Sequence, residues 1–128
     1  MVAGLGNKIM TNKEIIVLNQ GLANCGNLKG IKLAFAVSKN LKTLSAIIEP
    51  LSETIKKLQE DHAKKDKDGE IIVVEKEIQM VDLKKFNLEY DELMKIENEV
   101  SFHKIKTENL PEDITVAQLN GILEIVEE

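Results

Sequence analysis

The most regular feature of the chain is the spacing of its apolar residues between about Leu28 and Lys65. Ala34, Val37, Leu41, Leu44, Ile48, Leu51, Ile55, Leu58 and His62 follow one another at alternating steps of 3 and 4 residues. A seam of this kind turns one stripe of an α-helix towards a partner surface over several heptads, so the spacing predicts a single long helix over 28–65. Ser38, Ser45 and Ser52 recur along one flank of the seam, small enough to admit another helix, while Leu33, Asn40 and Ile47 line the other. Pro50 lies off the seam and cannot donate to the carbonyl of Ala46, so a kink near 46–50 is expected, with a split into two helices as the alternative. About 38 helical residues at about 1.5 Å each reach about 57 Å. A compact domain of this length has a radius of gyration of only about 14 Å. The seam must therefore be covered by another part of the chain, by a second copy, or by both.

The remaining pattern predicts smaller elements around that rod. Over 1–27, a loop or edge segment leads into Thr11-Asn12-Lys13-Glu14, a capping box that opens a short helix with Ile15, Ile16, Leu18 and Leu22 on its apolar side. Gly21 and the Asn24–Asn27 cluster weaken the end of that helix. Over 66–81, a charged turn with Gly69 placed for positive φ precedes Ile71-Ile72-Val73-Val74, a short β-ribbon or irregular arm. A second amphipathic helix is expected over 82–100, with Leu83, Phe86, Tyr90, Leu93, Ile96 and Val100 at helical steps, folding back antiparallel on the first. Residues 101–128 hold a short strand, then Leu110-Pro111, then a last helix opened by the capping box Thr115-x-x-Gln118. The expected fold is thus mostly α: one domain, a long kinked helix packed antiparallel on a second in a coiled-coil-like hairpin, a small β-ribbon and short terminal helices.

Composition narrows the chemistry. With 43% hydrophobic and 30% charged residues in 128, the chain is of the folding class. A net charge of −5, and basic residues that are all lysine, argue against nucleic acid, and so does the acidic, lysine-free stretch from Glu108 to Glu128. The aromatic residues Phe35, Phe86, Tyr90 and Phe102 read as core rather than as stacking platforms. A single cysteine, Cys25, allows no internal disulfide. His62 and His103 lack metal spacing, and Asp66-x-Asp68-Gly69 lacks the remaining calcium ligands, so neither a metal nor a cofactor is expected. No leader or membrane-spanning run is visible, which places the protein in a cytoplasm and off the membrane. Nucleophile elbow, phosphate loop and dinucleotide fingerprint are all missing, so no catalytic residue is nominated and the chain reads as a non-enzyme.

The order Leu33–Asn40 opening a long helix, Lys65-Asp66-x-Asp68-Gly69, a helix with Phe86 and Leu93, and Leu110-Pro111 before a short leucine-containing helix resembles a family of small phage and prophage proteins of unknown function, over residues 28–126. The resemblance implies a protein of the infected host's cytoplasm and no catalytic residue. Within it, Lys39 and Asn40 are the candidate polar positions. Beside a seam, Asn40 can specify register against a neighbouring helix, the favoured reading. Alternatively, Lys39 and Asn40, repeated by symmetry in a homo-oligomer, can line a pocket for an anionic or nucleotide-like ligand. The seam itself is carried by Val37, Leu41, Leu44, Ile48, Leu51, Ile55 and Leu58. The expected function is that of a self-associating protein that acts by binding, antagonising host defence by sequestering a host protein or a small signal. A role in virion assembly, as scaffold, chaperone or connector accessory, is the alternative.

Overall fold

Seven residues near the start are paired rather than loose. In the computed structural model, which describes residues 5–127, β1 (Leu5–Thr11) runs antiparallel to β4 (Glu97–His103), from Leu5 opposite His103 to Thr11 opposite Glu97. Thr11 ends the strand and caps α1 (Asn12–Ala23). Its hydroxyl accepts from the Glu14 N–H at 3.2 Å, and its own N–H donates to the Glu14 carboxylate at 2.9 Å. The hydrogen bonds from the Thr11 backbone and side chain, helped by Lys8 and opposed by slight desolvation, hold the Glu14 carboxyl below its ordinary value. The cap is therefore complete above the usual carboxylate range and weakens as pH falls through that lowered pKa.

Gly30, at φ 118, turns the chain into α2 (Ile31–His62), which is unbroken at Pro50. At 32 residues, about 48 Å long, it is shorter than the 28–65 expected because glycine stops it at one end and the extended Ala63 at the other. Its proximal half lies against α1 and β4. There the core gathers, from Ile15, Leu18 and Leu22 of α1, Leu33, Val37 and Leu44 of α2, Val100 and Phe102 of β4, and Ile122 and Ile125 near the C-terminus.

The distal half is an arm. Past Leu51, α2 has no fully buried residue, and neither has α3 (Leu83–Met94). Between them, β2 (Val73–Val74) and β3 (Glu77–Ile78) form a small hairpin, tied to the base by hydrogen bonds from Ile72 N to Lys64 O and from Lys64 N to Gln79 O. Its tip, Glu75-Lys76, holds two side-chain-bearing residues in left-handed backbone, at φ 52 and 70. Such conformations cost about 1 kcal/mol each. Lys76→Gly is accordingly expected to stabilise the hairpin by about 1 kcal/mol, read as about fivefold slower amide exchange at Val74 and Glu77. Unchanged exchange would contradict it.

The second helix ends earlier than its apolar spacing implied. α3 stops at Met94, and, of the residues expected to complete it, 97–100 belong to β4, Val100 among them. The reason is an alternation hidden inside the helical period: Asn98, Val100 and Phe102 face the core while Glu97, Glu99 and Ser101 face out. Helix α3 approaches α2 at two places. Glu89 pairs with His62, and Leu93 shares a cavity of about 360 Å³ with Ala46, Ile47, Pro50, Leu51 and Thr54. The buried Asn12 fastens its end, donating to the Leu93 carbonyl at 2.7 Å and accepting from Asn98 at 2.9 Å.

Beyond β4, β5 (Ile105–Lys106) leads through a single 3-10 turn to α4 (Val116–Gly121), capped by Thr115 and Gln118. A second such turn delivers β6 (Val126–Glu127), parallel to β5. Helices α1 and α4 cross at Gly21 and Gly121, where a Cβ built on Gly21 would lie 2.1 Å from the Gly121 carbonyl oxygen. Gly21, expected only to weaken a helix end, is instead the point where two backbones touch. Among the described residues no helix is long and apolar enough to cross a membrane.

Candidate functional site

The buried stripe of α2 is the seam rotated to one side. Val37, Leu44 and Leu51 are buried; Leu41, Ile48, Ile55, Leu58 and His62 are half-buried; and Ala34 is exposed. Leu33 and Asn40, on the flank opposite the serines, are fully buried, whereas Ser38, Ser45 and Ser52 are exposed. The rotation follows from what covers the helix. A sheet and α1 present a broad surface, so the proximal half buries a wide arc and not the narrow stripe that one partner helix would need.

Asn40 has 0% exposure and faces β4, not a neighbouring helix. Its Oδ1 accepts from the His103 N–H at 2.8 Å, and its Nδ2 donates to the His103 carbonyl at 2.8 Å. The side-chain amide thus pairs with His103 as the backbone of a third strand would, satisfying the end of β4 where no strand follows. The seam spacing points the amide towards a helix because nothing in the sequence places the strand that holds His103 alongside α2.

That clamp fixes His103, and His103 in turn fixes Phe35. The imidazole meets the Phe35 ring edge-on, with centroids 5.2 Å apart and planes at 84°. Lys39, one turn further along, places its ammonium 5.6 Å from the Phe35 centroid. Phe35 is nevertheless 54% exposed, against the expectation that the aromatic residues are core, which of the four only Phe102 meets in full.

Phe35 belongs to an open cleft of about 650 Å³ at the start of α2. Ile31, Phe35 and Ile105 are the apolar residues of its lining, and Lys32, Lys104 and Lys106 the cationic ones. His103 and Asn109 add polar edges, Glu108 and Glu127 acidic ones. Lys104 is anchored by donating to the Glu124 carbonyl at 2.7 Å. Among the described residues no carboxylate lies within ion-pair distance of Lys32, Lys104 or Lys106. Lys39 and Asn40 therefore stand behind this cleft, the one against Phe35 and the other against the backbone of His103, and neither lines it.

The cleft residues were not nominated from the sequence, although one signal was present. Ile31, Phe35 and Lys39, each four residues apart, stack along α2 away from the seam, where an aromatic residue has no core to join. The contribution of residues 103–106 had no local signal, since it is the Asn40 clamp on His103 and the pairing of β5 with β6, both long-range, that hold them in place.

Burial pushes the Cys25 thiol up, towards the unreactive protonated form. Among the described residues no three of His, Cys, Asp and Glu are grouped to hold a metal ion.

Fold and site together define a mostly helical protein with a sheet-backed core, a projecting helical arm and an open, ligand-sized cleft. The chain matches no family model, no curated protein and no solved structure.

Proposed function

We propose that this chain is a non-enzymatic phage protein that self-associates and acts by binding in the cytoplasm of the infected host, antagonising host defence by sequestering a protein or a nucleotide-like signal. The phage assignment rests on the resemblance of residues 28–126. Self-association rests on one observation: among the described residues nothing covers the serine side of the α2 seam, and Leu41, Ile48 and Ile55 keep part of their surface exposed beside it. In this reading α3 lies antiparallel along the distal half of α2, as the His62–Glu89 pair and the placing of Leu93 near Pro50 support. A second copy then closes the open side, where serines let backbones approach closely.

Light scattering tests this directly. A mass of at least twice 14.3 kDa is expected, with Ser45→Lys/Ser52→Lys reducing it to the monomer while leaving helicity unchanged. A monomer at about 100 µM would refute self-association. Recovery of the protein in purified particles would instead mark it as an assembly accessory.

A further inference from the structure

The cleft beside Phe35 lies away from the seam, and self-association through the serine flank does not account for it. We propose that it is a binding site for a small organic phosphate carrying a planar ring, of the size of a nucleoside monophosphate. This deepens the small-molecule part of the proposed function and rests on the binding reading, but not on self-association.

Size comes first. About 650 Å³ falls within the range of about 300–1,000 Å³ typical of small-molecule sites. Chemistry then divides the lining in two. Ile31 is 84% exposed and Phe35 54%, neighbours one turn apart, although side chains of this kind are stabilised by burial. A flat apolar body laid against them removes both from water. Phe35 is suited to this because it is already held on two sides, by His103 edge-on and by the Lys39 ammonium, so little side-chain freedom is left to lose on binding. Cationic chemistry is the other part. Lys32, Lys104 and Lys106 line the same cleft, and among the described residues none has a carboxylate within ion-pair distance, in a protein whose net charge is −5. Lysines act on phosphate as point charges, and Lys104, tethered to the Glu124 carbonyl, is already positioned.

Glu108 and Glu127 decide between ligands of this class. Two carboxylates in the lining repel a polyanionic strand and meet no donor on an alkyl chain, but they accept hydrogen bonds from hydroxyl or amino groups. An acidic group, a ring and several donors on one small molecule satisfy every part of the lining. A nucleoside monophosphate has all three.

The test is calorimetric titration of the full chain with the four common nucleoside monophosphates, set beside adenosine and inorganic phosphate. At least one nucleotide is expected to bind saturably below about 1 mM, with its nucleoside and phosphate each at least about tenfold weaker. Lys32→Glu and Lys106→Glu, both at exposed positions, are expected to weaken binding at least about tenfold each, and Phe35→Ala likewise. Helicity and mass should be unchanged. The proposal is overturned if no nucleotide binds by about 10 mM, if phosphate alone binds as tightly as the nucleotide, or if the lysine substitutions leave affinity unchanged. Mass separates this from self-association: an oligomer that ignores nucleotides removes the cleft assignment alone, and a monomer that binds them removes the seam assignment alone.

Discussion

Gly21→Ala is expected to be among the most damaging single-methyl additions this protein can receive. Added to Gly21, a Cβ would sit 2.1 Å from the Gly121 oxygen and 2.7 Å from its carbonyl carbon. Both are backbone atoms, so no side chain can swing aside. Relief requires α1 and α4 to separate by more than 1 Å, which loosens Leu22, Ile122 and Ile125, each at 0% exposure beside the crossing. Overpacking of well-filled interiors costs about 1–3 kcal/mol, and a backbone-to-backbone clash belongs at the top of that range or above it. A loss of about 3–5 kcal/mol is expected, lowering Tm by more than about 10 °C in thermal melts followed by circular dichroism. Two other glycines calibrate the effect. A Cβ on Gly121 meets Gly21 Cα at 3.1 Å, a tighter than ordinary contact that a small shift relieves, so Gly121→Ala should cost less. On Gly26 the nearest atom lies at 3.4 Å, and Gly26→Ala should be close to neutral. Equal losses at all three positions would show that the crossing is not responsible.

Asn40 carries the second large effect. Asn40→Ala leaves the His103 N–H and carbonyl without partners beside a new cavity, and each unsatisfied buried group costs about 1–3 kcal/mol. A loss of about 3–5 kcal/mol is expected. Asn40→Leu refills the space but restores neither bond, so it too should destabilise; a more stable variant would mean that the amide serves an interface between copies and not the end of β4. Asn40→Asp adds a signature that packing alone cannot give. An ionised carboxylate accepts from the His103 N–H but repels the carbonyl, whereas its protonated form can donate to that carbonyl. The folded pKa is therefore raised above the unfolded value of about 3.9, and the variant's deficit is smallest below that pH and grows as pH rises towards the folded pKa. Denaturant midpoints measured from pH 3 to 7 against the parent protein read this out. A deficit independent of pH would refute the two-point clamp.

Much of the architecture was legible because it rests on local rules. Both capping boxes, Thr11–Glu14 and Thr115–Gln118, form as their residue types dictate, since a cap needs only four consecutive residues. Gly69 takes the positive φ its turn required, at 80°. The long helix forms where the 3–4 spacing placed it, within three residues at each end. The β1–β4 pair was not legible, because its partners lie about 90 residues apart and β4 alternates within a stretch that also fits a helical period. The role of Asn40 was hidden for the same reason: a side chain that completes a strand edge is recognised only once that strand, 63 residues away, is placed beside it.

By itself the sequence determined where helices start, where the chain turns and which stripe of α2 is apolar, because these follow from hydrogen-bond capping, glycine conformations and side-chain period. Only the tertiary structure decided which arc of that stripe is buried, that Gly21 must be glycine, and that Phe35, Lys32, Lys104 and Lys106 share one cleft. Those outcomes depend on which distant surfaces meet, and spacing along a chain carries no measure of distance across a fold.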